Sequence, residues 1–178
     1  MSSIIQLTPY GVTLIMGTIL AFLLSFYGFS KRHDRRYLIM ALFALTVAIE
    51  MLGEAGEVVF VPVHLKILLS DIGGTAYALI PLFCILFILD FVHIRSVFEN
   101  KKLMFLISII PILVFFGGIT NPWLHLVWNT TYQYMDGRYV LIYARGALQY
   151  AYYIYAVLIV FIGSGALINI IKSKRVNS

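Results

Sequence analysis

Residues 37–60 read YLIMALFALTVAIEMLGEAGEVVF, an apolar run long enough to cross the ~30 Å core of a bilayer as a helix, which takes about 20 residues. Three carboxylates interrupt it. Glu50, Glu54 and Glu57 stand at i, i+4 and i+7, a spacing that a helix turning about 100° per residue gathers into one stripe, within roughly a 60° arc. Gly53 and Gly56 lie between them, where the missing side chain lets a neighbouring backbone approach. In a spanning helix Glu50 falls near the midplane and the other two climb toward one surface. An ionisable group at that depth is costly, faces the protein interior or a wet cavity, and marks a functional site. The stripe is therefore expected to border whatever the protein recognises or moves.

The rest of the chain agrees with a membrane setting. Of 178 residues, 61% are hydrophobic and 12% charged, and the mean hydropathy is +0.93, whereas a soluble domain is near half apolar and a quarter charged. A net charge of +5 would suit nucleic acid in a soluble protein. Here the basic residues cluster beside apolar spans, so membrane orientation accounts for them and no nucleic-acid partner is expected. The one cysteine, Cys84, excludes an intrachain disulfide and a thiol metal motif; it reads as a small buried hydrophobe. The first ten residues carry no basic group, so the first apolar run reads as a retained helix and not as a signal peptide.

Five segments are long and apolar enough to span: about 9–29, 37–60, 66–92, 103–119 and 147–171. Pro81 and Pro111 sit inside the third and fourth, predicting kinks or local unwinding there. Lys31, Arg32, Arg35, Arg36, Arg95, Lys101, Lys102, Lys172, Lys174 and Arg175 fall on one side of this arrangement, against Lys66, Arg138 and Arg145 on the other. The positive-inside rule then puts the N-terminus outside and the C-terminus in the cytoplasm. The fold class is an all-α integral membrane protein, one domain over residues 1–178, expected in the plasma membrane.

The loop over residues 120–146 is the long one. Asn121-Pro122 signals a turn, and Trp123 and Trp128 suit the water–lipid interface. Tyr132–Tyr134 and Arg138–Tyr143 flank Met135-Asp136-Gly137, which predicts a small extracellular β-hairpin over the outer mouth of the bundle. The fifth span opens with Gln149, Tyr150, Tyr152, Tyr153 and Tyr155. An aromatic belt accounts for most of them, yet Gln149, Tyr152, Tyr153 and Ala156 share a face that could line a pocket with the glutamate stripe.

Charge of both signs collects in the outer half: the three glutamates and Asp71, with His64, Lys66, His125 and Arg145 near the same level. Adjacent carboxylates repel, so some must be protonated, paired with Lys66 or Arg145, or bound to a cation or ligand amine. The plainer reading leaves Glu57 and Lys66 solvated at the interface. Asp90 is expected to meet interfacial water or a basic loop residue. The four histidines make no ligand set, because His33 and His93 lie on one side and His64 and His125 on the other; paired haem ligands need matching depth. The fifth span has no mid-membrane lysine for a retinal Schiff base, and no HExxH, P-loop or GxSxG motif occurs. No metal, cofactor or catalytic residue is expected.

The order of features resembles a known family. A basic hairpin precedes Ala48-Ile49-Glu50-Met51-Leu52; an aromatic-rich third span carries Leu82-Phe83-Cys84-Ile85-Leu86-Phe87-Ile88-Leu89-Asp90. Ile109-Ile110-Pro111 then leads into Thr120-Asn121-Pro122-Trp123-Leu124-His125-Leu126-Val127-Trp128, ahead of a β-like segment and a tyrosine-rich fifth span. This resembles the N-terminal seven-transmembrane sensory region of prokaryotic histidine kinases, over nearly the whole chain. The resemblance implies a two-component input domain that senses an extracellular or membrane-borne signal and passes a helix movement to a cytoplasmic kinase, in cis or in trans. It carries over Glu50, Asn121, His125 and Trp128 without assigning them roles. Members continue through two more helices to a kinase, whereas this sequence ends after the fifth helix with no phosphoacceptor His box or nucleotide motif. The chain is thus expected to be a truncated or orphan sensor and no enzyme by itself.

The expected signal-sensing set is Glu50, Glu54, Asp71, Asn121, His125, Trp128, Arg145 and Tyr152. Sensors of this kind usually work as homodimers, although no segment marks an interface. The alternative is a small cation- or proton-coupled transporter or channel subunit using the helix 2 carboxylates; a non-binding scaffold is a third reading, under which Glu50→Leu would be silent.

Overall fold

Three helix starts in this chain follow local capping chemistry. The Thr8 hydroxyl accepts the Gly11 N–H at 3.0 Å, Asp34 accepts that of Arg36 at 2.9 Å, and Asn100 accepts those of Lys102 and Leu103. Each satisfies N–H groups that a first helical turn leaves without partners. The computed structural model describes residues 5–92, 96–135 and 138–176. From these caps run α1 (Pro9–Ser30), α2 (Arg35–Val59) and, further on, α6 (Lys101–Ile119). Between them lie α3 (Val63–Tyr77), α4 (Ile80–Phe91) and the short α5 (Ser96–Glu99). A single turn, α7 (Asn121–Leu124), leads into strands β1 (Trp128–Met135) and β2 (Arg138–Arg145), and α8 (Ala147–Val176) follows.

Among the described residues five helices are long and apolar enough to cross a membrane, with α3 and α4 counted together over Val63–Phe91. Pro81 breaks its span as expected, whereas Pro111 does not. The third span begins at Val63, not Lys66, and is interrupted at Ala78–Leu79, because Pro81 has no N–H for the Tyr77 carbonyl four residues back. At Pro111 the helix α6 continues unbroken. The hairpin strands are longer than predicted, pairing antiparallel from Trp128↔Arg145 to Met135↔Arg138. The predicted turn residues Asp136 and Gly137 and the loop residues His93 and Arg95 lie outside the described residues, as do the side chains of Lys172, Lys174 and Arg175.

Gly53 and Gly73 bring α2 and α3 backbone to backbone: a Cβ on Gly53 would stand 2.6 Å from the Gly73 Cα and 2.7 Å from the Leu69 carbonyl oxygen. This is the close approach expected beside the glutamate stripe. The main core joins α4, α6, the start of β1 and α8 around Ile85, Val114, Val127, Tyr152 and Ile159. At the basic end, Asp90 of α4 is buried and accepts Arg35 Nε at 3.0 Å, while Arg36 Nε stands 3.5 Å from its other oxygen. Asp90, expected to meet interfacial water or a basic loop residue, thus meets two arginines of the first turn of α2.

Candidate functional site

Two tyrosines of α8 repair what the prolines remove. The Tyr152 hydroxyl donates to the Tyr77 carbonyl oxygen at 2.8 Å, the acceptor that Pro81 cannot serve. The Tyr155 hydroxyl donates to the Ile107 carbonyl oxygen at 2.8 Å, four residues before Pro111. In a bilayer an unsatisfied carbonyl has no water to turn to, so these two bonds fasten α8 onto the α3–α4 break and onto α6. Both tyrosines are buried. Tyr152 therefore serves as a carbonyl cap in the core and does not reach the cavity described next.

Between α2, α3, the hairpin and α8 is a cavity of about 510 Å³, within the usual size range of small-molecule sites. Helix α2 supplies Glu50, Glu54 and Glu57; α3 supplies Ser70, Gly73, Gly74 and Tyr77. The hairpin contributes Trp128, Tyr143 and Arg145, and α8 contributes Gln149 and Tyr153. Trp128 and Arg145 are cross-strand partners, so the register places them side by side at the hairpin base.

The local sequence explains how Trp128 is held. Asn121, buried in the α7 turn, donates its amide to the Trp128 carbonyl at 2.7 Å and accepts the Val127 and Trp128 N–H groups. The indole N–H donates to Asp71 Oδ1 at 2.9 Å. The indole ring packs on Gly74, where a Cβ would come within 3.1 Å of it. His125, exposed and left-handed at φ 51°, ends the α7 turn. Of the eight predicted residues, Glu50, Glu54, Trp128 and Arg145 line the cavity. Asp71 and Asn121 stand behind Trp128, and His125 and Tyr152 are elsewhere.

The charges are unevenly satisfied. Glu57 accepts the Tyr143 hydroxyl at 2.7 Å, and that hydroxyl also lies 2.5 Å from Ser70 Oγ. Burial pushes the Tyr143 hydroxyl well above the ordinary tyrosine range, so it stays protonated and donates at neutral pH. Lys66 is buried and donates to the Tyr139 carbonyl at 3.1 Å; the solvated reading of Glu57 and Lys66 gives way to two ties between hairpin and helices. Glu54 has one long contact, from the Tyr10 hydroxyl at 3.4 Å. Among the described residues Glu50 has no hydrogen bond or ion pair. The Arg145 guanidinium lies over the Tyr153 ring, 5.0 Å from its centroid, and pairs with none of the three glutamates.

Sequence reasoning missed Ser70, Tyr77 and Tyr143 as wall residues. Tyr77 had a signal, the proline four positions on; Ser70 and Tyr143 meet only across the fold. Among the described residues no three His, Cys, Asp or Glu side chains are placed to hold a metal ion. Compared with known families, residues 13–178 match the N-terminal 7TM region of histidine kinase. No curated protein and no solved structure matches the chain.

Proposed function

The chain belongs to the N-terminal 7TM region of histidine kinase, and from that premise we propose that its signal, a small-molecule or membrane-borne ligand, occupies the cavity between α2, α3, α8 and the hairpin. The domain is a multi-pass, non-catalytic sensory input of a signalling kinase. The distribution of Lys and Arg supports an N-terminus and hairpin outside and a C-terminus in the cytoplasm.

The observation that carries the reading is the convergence of Glu50, Glu54, Trp128 and Arg145, from three separate elements, on one cavity. Glu50 engages the ligand, and Asp71 and Asn121 act one step back by holding Trp128. Occupancy shifts α8 relative to α2 and α3. The Tyr152–Tyr77 bond supports this relay, since it ties α8 to a residue of the cavity wall. At the far end Asp90 is engaged by Arg35 and Arg36, so among the described residues no file of open carboxylates crosses the bundle, which favours sensing over ion transport.

The test is the phosphorylation of the partner kinase's response regulator in cells carrying Glu50→Gln or Glu57→Gln. The response to signal is expected to fall further with Glu50→Gln, because the Glu57 carboxylate already has Tyr143. Equal responses in the two strains would sink the assignment of Glu50.

A further inference from the structure

We propose that the ligand of this cavity is an amphiphilic organic cation, with an ammonium head among the α2 carboxylates and a hydrocarbon body along α8. The proposal rests on the cavity being the signal site. Two independent features point to it. The first is a second hollow of about 550 Å³ that shares Tyr77, Arg145 and Tyr153 with the cavity and continues along Ala156, Val157 and Phe161. Below Arg145 its walls are apolar, and Val157 and Phe161 are 54% and 71% exposed, so it opens sideways where a spanning helix meets lipid. A ligand filling both spaces has one polar end and one apolar end, and it can enter from the bilayer.

The second feature is the charge of the polar end. Three carboxylates face one guanidinium. Tyr143 engages Glu57, Arg145 is spent on the Tyr153 ring, and Glu50 is without a partner among the described residues. The remaining walls include the aromatic rings of Tyr77 and Trp128, surfaces that attract organic ammonium groups. An inorganic ion does not suit the place, since no three ligating side chains converge among the described residues.

The experiment uses the chain in phosphatidylcholine nanodiscs with Trp123→Phe, which leaves Trp128 as the reporter of the two tryptophans. Octylammonium, octanol, octanoate and butylammonium are titrated against its emission. Octylammonium should give a saturable shift, weakened about tenfold by Glu50→Gln, the loss of one charge-assisted contact, while octanol is unaffected by that change. Butylammonium should bind at least about tenfold more weakly, since it lacks four methylenes of apolar burial. Ala156→Phe narrows the groove and leaves every carboxylate in place; it should weaken octylammonium and spare butylammonium, even where Glu50→Gln does not fold. Octanoate or octanol binding as tightly as octylammonium would overturn the cationic head while leaving the cavity reading intact. Equal binding of the two ammonium probes would overturn the groove. If none of the four moves Trp128, the cationic-amphiphile proposal falls, while the cavity reading stands or falls on the Glu50→Gln and Glu57→Gln responses to signal.

Discussion

Tyr152→Phe isolates what one hydroxyl contributes at a proline break. The Tyr152 ring is fully buried and its hydroxyl donates to the Tyr77 carbonyl at 2.8 Å. Phenylalanine keeps the ring against Tyr77, 5.4 Å away centroid to centroid, and strands only that carbonyl. A buried polar group left unsatisfied costs about 1–3 kcal/mol, and the membrane core offers no water in exchange. At roughly 2–4 °C per kcal/mol for a chain of this size, thermal unfolding in detergent should fall by several degrees. The deciding step is a double-mutant cycle. Pro81→Ala restores an N–H four residues after Tyr77, so Tyr152→Phe in that background should cost less than half as much, a coupling of about 1 kcal/mol. Tyr155→Phe should couple to Pro111→Ala instead, through Ile107. Equal costs of Tyr152→Phe with and without Pro81 would refute the idea that the hydroxyl compensates for the proline.

Two further changes test the packing that frames the cavity. Gly53→Ala should cost about 1–3 kcal/mol, because the new Cβ would meet backbone atoms of α3 that cannot step aside; Gly165→Ala meets nothing within 4 Å and should be neutral or stabilising by up to about 1 kcal/mol, both read by thermal unfolding. Asp90→Asn should cost about 1.5–3 kcal/mol as charge-assisted bonds to Arg35 are lost, measured by denaturant titration; an unchanged midpoint would show that the arginines rehydrate at no net cost.

The five spans were legible because bilayer thickness sets a length and composition that local sequence must meet. The glutamate stripe was legible because helical periodicity alone places Glu50, Glu54 and Glu57 on one face. Gly53 announced a close approach, and Pro81 announced a break. Asn121, His125 and Trp128 were recognisable as a group, but their division of labour was not: one clamps the chain, one ends a turn and one lines the cavity.

What the sequence determined by itself, then, is whatever depends on period, length and missing donors: the spans, the carboxylate face, and the carbonyls of Tyr77 and Ile107 left without their usual N–H. What only the tertiary structure decided is which group answers each of these. Tyr152 and Tyr155 cap the two carbonyls, Tyr143 takes Glu57, and Arg145 turns to Tyr153 and not to a glutamate. All but the last of these pairings join residues dozens of positions apart. They are settled by how α2, α3, α8 and the hairpin pack together, and by the cost of burying a polar group without a partner, which no local pattern encodes.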